Sequence, residues 1–148
     1  MRKLLYLFMA ACVVALLYLP FFPMSTLTYD QISAALPELI HEPLKSQNIN
    51  TCKKNFDFTS IAKDGFVYYL NEDAMDVEEV VVIRVQKDQH DEIIAKFQQR
   101  IDEQKQKFDG YGVIQMEKLN QAKIMTFDDV CILIVSNDEK LLTLGGLL

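Results

Sequence analysis

The sequence is poor in the residues that catalysis and metal binding usually need. It has two histidines, His41 and His90, and three cysteines. Neither a His-x-x-x-His nor a Cys-x-x-Cys spacing occurs, which excludes the common zinc arrangements. His90 stands beside Asp91 and Glu92 and reads as a solvated surface side chain. Ser25, Ser33, Ser46, Ser60 and Ser136 all lack a Gly-x-Ser-x-Gly setting, so nucleophilic catalysis has no signature. A Gly-rich phosphate loop is absent; Gly145-Gly146 lies at the chain end and signals flexibility. Basic residues form no block. The formal net charge is −6, and setting aside Arg2 and Lys3 leaves −8 on residues 28–148. Such a domain is repelled by phosphate backbones, so nucleic acid is excluded as a partner. These absences leave no catalytic, cofactor-binding or metal-ligating residue to assign. No cofactor is expected, and the chain reads as a non-enzyme.

What is present begins with a long apolar run. Leu4 to Met24 contain no charged side chain. As a helix, about 21 residues rise roughly 31 Å, close to the hydrocarbon thickness of a bilayer. Arg2 and Lys3 precede the run, which places the N-terminus on the cytoplasmic side and the remainder outside. Pro20 and Pro23 mark its end. The residues after it, Phe21-Phe22-Pro23-Met24, supply no small-residue cleavage site. Met9-Ala10-Ala11-Cys12 loosely fits a lipoprotein signal, but apolar residues continue for about another dozen positions where a lipoprotein turns polar. These flanks favour an uncleaved anchor over cleavage or acylation at Cys12. The chain therefore divides into a signal-anchor or transmembrane segment at 1–27 and an extracytoplasmic domain at 28–148, in contact with the membrane through residues 4–24.

The second part alternates helix and strand patterns. Ile32, Ala35, Leu36, Leu39 and Ile40 share one helical face, with Thr28 or Asp30 as N-cap and Pro37 predicting a kink or early stop. Residues 42–55 are polar, carry Pro43 and read as an irregular connection. Phe66–Leu70, Val80–Val85, Ala122–Phe127 and Val130–Val135 read as strands, the last two joined at Asp128-Asp129. The clearest helix is predicted from Gln89 to Asp109, capped by Asp88 and stopped by Gly110. Its apolar face is Ile94, Phe97, Ile101 and Phe108, interrupted by Gln104. A short apolar helix can close the chain after Asn137–Lys140. The fold expected is α+β: an N-terminal transmembrane helix, then a small mixed or antiparallel sheet packed on a long helix, with helices on one face.

Two features invite a functional reading. Glu72, Asp73, Asp76, Glu78 and Glu79 form an acidic cluster of oxygen ligands that suit Ca²⁺. No glycine supplies the sharp turn of a helix-loop-helix site, so a solvated loop with Glu79 guarding a strand end is the better reading. Cys52 and Cys131 both fall in the exported part; Cys131 reads as a small core hydrophobe, and pairing of the two cannot be deduced from sequence.

Several of these residues carry a family resemblance. They are Glu78-Glu79-Val80 opening an apolar strand, Arg100-Ile101 and Gln104-Lys105 on the long helix, and Phe108, Tyr111 and Gln115 beyond it. Ile134-Val135-Ser136-Asn137-Asp138 closes the set. From Val77 to Asp138 the chain resembles the bacterial domain-of-unknown-function family numbered forty-three fifty-eight, found in small membrane- or lipid-anchored exported proteins. Val113, where the family often has proline, and Asp128-Asp129, replacing a frequent Gly-containing turn, depart from its pattern. The resemblance implies location and fold, not chemistry. The function expected is non-enzymatic binding in the cell envelope, with another envelope or membrane protein as partner. The alternative is an accessory subunit or enzyme of envelope modification with an unrecognised site.

Overall fold

The β-branched run at Val80–Ile83 becomes the middle of a five-stranded sheet. The computed structural model describes residues 27–58 and 65–147. Its elements begin with helix α1 (Tyr29–Leu39), strand β1 (Leu44–Ser46), helix α2 (Ile49–Phe56), and strands β2 (Phe66–Asn71) and β3 (Glu79–Arg84). Helices α3 (His90–Phe108) and α4 (Val113–Asn120), strands β4 (Lys123–Phe127) and β5 (Val130–Val135), and the short helix α5 (Glu139–Leu142) follow. Single 3₁₀ turns at Lys87–Gln89 and Leu144–Gly146 complete it. The strand order is β1-β2-β3-β5-β4, and every neighbouring pair is antiparallel.

Both faces of this sheet are covered. Successive side chains of a strand point to opposite faces. Val80 and Val82, with Val130, Ile132 and Ile134 of β5, pack with Ile32 and Leu36 of α1 and with Leu141 and Leu144. Val81 and Ile83, with Cys131, Leu133 and Val135, pack with Phe56 of α2, Phe97 and Ile101 of α3, and Leu119 of α4. The central strands are therefore buried on both sides, as their unbroken apolar sequence requires.

Helix boundaries follow local chemistry. Thr28 caps α1 and exchanges hydrogen bonds with Gln31, leaving two helix-end donors satisfied. The helix stops at Leu39, two residues past Pro37. Asn48 Oδ1 accepts from the amides of Asn50 and Thr51 and starts α2. Gly110, at φ +81°, follows the end of α3.

The structure corrects several sequence-based expectations. Of the mixed or antiparallel sheet expected, the antiparallel form is found, but helices lie on both of its faces and not on one. The connection at 42–55 contains β1 and α2, and α4 lies in a stretch where the pattern predicts no element. Ile93, not Ile94, is the buried isoleucine of α3: positions 93, 97 and 101 repeat every four residues and align on one side, while Ile94 sits half-buried on the flank. Asp88 falls within the 3₁₀ turn and does not cap α3; Gln89 Oε1 instead accepts from the Gln86 amide. The apolar segment 4–24 lies outside the described residues. Among the described residues no helix is long and apolar enough to cross a membrane.

Phe97 is fully buried among Phe56 and Phe58, both in edge-on contact with its ring. Phe97→Ala is expected to cost about 3–5 kcal/mol, through lost transfer energy and the cavity left behind. Gln99 lies on the exposed side of α3, and its replacement by Ala is expected to cost less than about 0.5 kcal/mol. Urea denaturation of the two variants measures both.

Candidate functional site

The acidic cluster divides once folded. Glu72 and Asp73 are exposed, whereas Glu78 and Glu79 are 4% and 1% exposed. The intervening loop is organised by its own carboxylates. Asp73 Oδ1 accepts from the Met75 amide, and Asp76 Oδ1 accepts from the amides of Val77 and Glu78. Among the described residues, no group of three or more His, Cys, Asp or Glu side chains is arranged to hold a metal ion.

Glu79 opens β3 on the α3 face and is met from one helix and one strand, with a second helix bonded to the strand's tyrosine. Arg100 of α3 donates through Nε at 3.1 Å and a terminal nitrogen at 3.4 Å. Tyr68 of β2 donates its hydroxyl to Glu79 Oε2 at 3.0 Å, and Asn55 of α2 donates to that same hydroxyl at 2.8 Å. Gln104, one turn beyond Arg100, places its amide oxygen 2.8 and 2.9 Å from the two terminal guanidinium nitrogens in the orientation that satisfies both groups. Burial pushes the Tyr68 hydroxyl well above its ordinary range, and the Glu79 charge adds to the shift. Burial would lower the Arg100 value, but Glu79 outweighs it and the guanidinium is held in its charged form. Neither Tyr68 nor Arg100 is therefore poised to exchange a proton near neutral pH.

Glu78 turns to a second set of partners. Lys118 of α4, itself 7% exposed, reaches Glu78 at 3.4 Å and both oxygens of Asp76 at 2.9 Å. Ser136, immediately after β5, donates its hydroxyl to Glu78 and accepts from the Asp138 amide. His41 Nε2 lies 3.3 Å from Asp138 and 3.9 Å from Glu78. Burial raises the Asp76 carboxyl, but hydrogen bonds from Lys118 and from the Glu78 amide outweigh it and hold the group below its ordinary range.

These contacts fix a corner. Lys118 and Gln115 both lie on α4, and Gln115 Nε2 donates to the Met75 carbonyl. The turn between α3 and α4 is tight: Phe108 O accepts from the Gly112 amide at 3.0 Å. A Cβ at Gly112 would stand 2.8 Å from the Phe108 Cβ, so only glycine fits there without a shift. The corner carries Tyr111, Val113 and Ile114 at 63%, 81% and 62% exposure, and Met75 across the Gln115 contact is 57% exposed. Beside them a surface groove of about 560 Å³ is lined by Phe108, Tyr111, Val113, Met116, Glu117 and neighbouring glycines and amides.

The remaining candidates are placed as follows. The sequence favours a solvated Glu79 at a strand end; the structure overturns this, because α2 and α3 cover that end and supply Arg100. His90 is half-buried, not fully solvated, and its Nε2 is enclosed without a hydrogen-bond partner among the described residues. Cys52 and Cys131 are separate buried thiols on the α3 side of the sheet. Burial, with a contribution from Glu79, pushes Cys52 up to about 12, and burial pushes Cys131 up to about 11. Sequence reasoning missed the Glu79–Arg100 and Glu78–Lys118 pairings and the groove. One signal was available: Arg100 and Gln104 are polar residues four apart beside the apolar stripe of a helix.

Fold and site together define a small antiparallel α+β domain with two buried carboxylates, each paired to a different helix, and an exposed apolar corner. The chain belongs to the bacterial family described as domain of unknown function DUF4358, which matches residues 40–136. The residues that carried the resemblance are largely those that meet in space: Glu79 with Arg100 and Gln104, Glu78 with Ser136. Neither the curated proteins nor the solved structures contain a match.

Removing one partner of a buried pair strands the other charge. Arg100→Met is therefore expected to cost about 3–5 kcal/mol, and the double variant Glu79→Gln/Arg100→Met to recover most of that loss, as measured by a double-mutant cycle in urea. The depressed Asp76 carboxyl gives a signed pH dependence. Its contribution is fully present above the ordinary aspartate range and is lost as pH falls through the lower folded-state value. Asp76→Asn is expected to lower stability at neutral pH and to flatten the acid limb of a stability–pH curve.

Proposed function

We propose that the chain is a membrane-anchored, extracytoplasmic, non-enzymatic domain that docks an envelope or membrane protein through the α3–α4 corner. The observation that carries this reading is the solvent exposure of Tyr111, Val113 and Ile114 on backbone that is firmly held by Gly112, Gln115 and Lys118. Contiguous exposed apolar side chains next to a groove mark interaction sites more often than scattered ones do. Rigid presentation lowers the ordering cost of binding.

The position of the first turn of α1 supports the same reading. Residues 4–24 have the length and apolarity of a membrane span. The domain begins at α1, whose first turn lies against the far end of β3: Tyr29 N donates to Asp129, the Arg84 guanidinium lies over the Tyr29 ring, and Arg84 pairs with Asp30. The α3–α4 corner lies past the other end of β3, beyond Glu79. An anchor leading into α1 would hold the corner away from the bilayer, where a partner can reach it.

A benzophenone side chain placed at Val113 tests this in native membranes. It is expected to give reproducible protein adducts that the same probe at Glu92, on the exposed side of α3, does not give. The membrane-extracted chain is expected to keep residues 1–24 by intact mass. Absent adducts, or identical ones from both positions, would count against docking; a mature N-terminus near Ser25 would count against the anchor.

A further inference from the structure

The groove at the α3–α4 corner has a single charged lining residue, Glu117. Its other walls are apolar rings and chains, glycine backbone, and the amides of Asn120 and Gln121. The one base on α4, Lys118, is turned inward and held by Asp76 and Glu78, so it offers no positive charge to the surface. Asp109 adjoins the groove, and Glu72 and Asp73 are exposed in the loop that carries Met75. Lys107 stands nearby with its ammonium 5.1 Å above the Phe108 ring. The groove is thus apolar with one carboxylate in its lining, Asp109 and Lys107 at its margin, on a domain that is itself acidic.

We infer that the occupant of this groove is a peptide segment of a second protein that presents an apolar side chain next to a lysine or arginine. The apolar residue packs among Tyr111, Val113 and Met116, and the cation meets Glu117. This inference rests on the docking reading and adds the chemistry of the partner. Charge complementarity selects a basic segment and disfavours an acidic one. It also disfavours a bilayer with anionic headgroups. Geometry points the same way: the corner lies beyond the Glu79 end of β3, and six strand residues, roughly 20 Å, separate it from the end at which α1 begins.

The full-length chain in phosphatidylcholine nanodiscs is screened against a displayed random-peptide library, and selected peptides are measured by fluorescence polarisation. The expected selection is enriched in an apolar residue adjacent to Lys or Arg. Val113→Asp is expected to abolish binding with the thermal transition unchanged. Glu117→Lys is expected to weaken it, and exchanging the peptide's base for Glu to restore affinity to that variant. Binding lost in Val113→Asp but unaffected by Glu117→Lys overturns the basic partner while leaving the docking corner in place. Binding unaffected by Val113→Asp overturns the docking corner as well. A library that yields no peptide overturns the inference, and self-association that Val113→Asp abolishes, seen by sedimentation, assigns the groove to a second copy of the chain.

Discussion

Two adjacent carboxylates, Glu78 and Glu79, are drawn out of water at the start of the central strand. That burial is the constraint on which the arrangement of helices depends. An isolated ionised carboxylate in such surroundings is too costly to persist, so each requires a cation delivered with good geometry. Arg100 answers Glu79 and Lys118 answers Glu78. The first pairing sets the position of α3 over the sheet; the second sets α4 against the β2–β3 loop. Tyr68, Asn55 and Gln104 then satisfy lone pairs and donors that the ion pair alone leaves open.

This network is a source of registry more than of net stability. Stability comes from the two apolar layers, in which the centres of β3 and β5 are sealed from solvent. Hydrophobic packing is non-directional, and helices lying on a flat apolar sheet could settle in more than one position. A buried ion pair tolerates few of them. The consequence reaches the surface, because α4 is only eight residues long and carries the exposed corner. Its hold on the domain depends on Leu119, Lys118, Gln115 and the close approach of Gly112 to Phe108.

Much of the fold was legible in the sequence because its signals are periodic. The β-branched run at 80–83, the hairpin across Asp128-Asp129 and the stripe of α3 each dictate an element through spacing alone. The short elements were hidden for identifiable reasons. In α2 the apolar positions Cys52 and Phe56 lie among lysines and asparagines, so composition spoke for a loop while the Asn48 cap spoke for a helix. In α4 the apolar residues Val113 and Ile114 are exposed, and a lysine is buried instead. That inversion makes the helix hard to see by pattern and also makes it the candidate interaction surface. Glu79 was misread because charge argues for solvent, and its partner lies twenty-one residues away on another element.

The exposed α3–α4 corner and the buried carboxylates are thus parts of one construction. The acid at the strand start recruits a lysine into the domain, and the recruitment leaves the outer side of α4 apolar and acidic. Hydrogen exchange on the Lys118→Met variant tests this link most directly. The account predicts that amides of residues 113–120 lose protection while those of β3 and β5 keep theirs. Unchanged protection in α4, or an equal loss across the sheet, would contradict it.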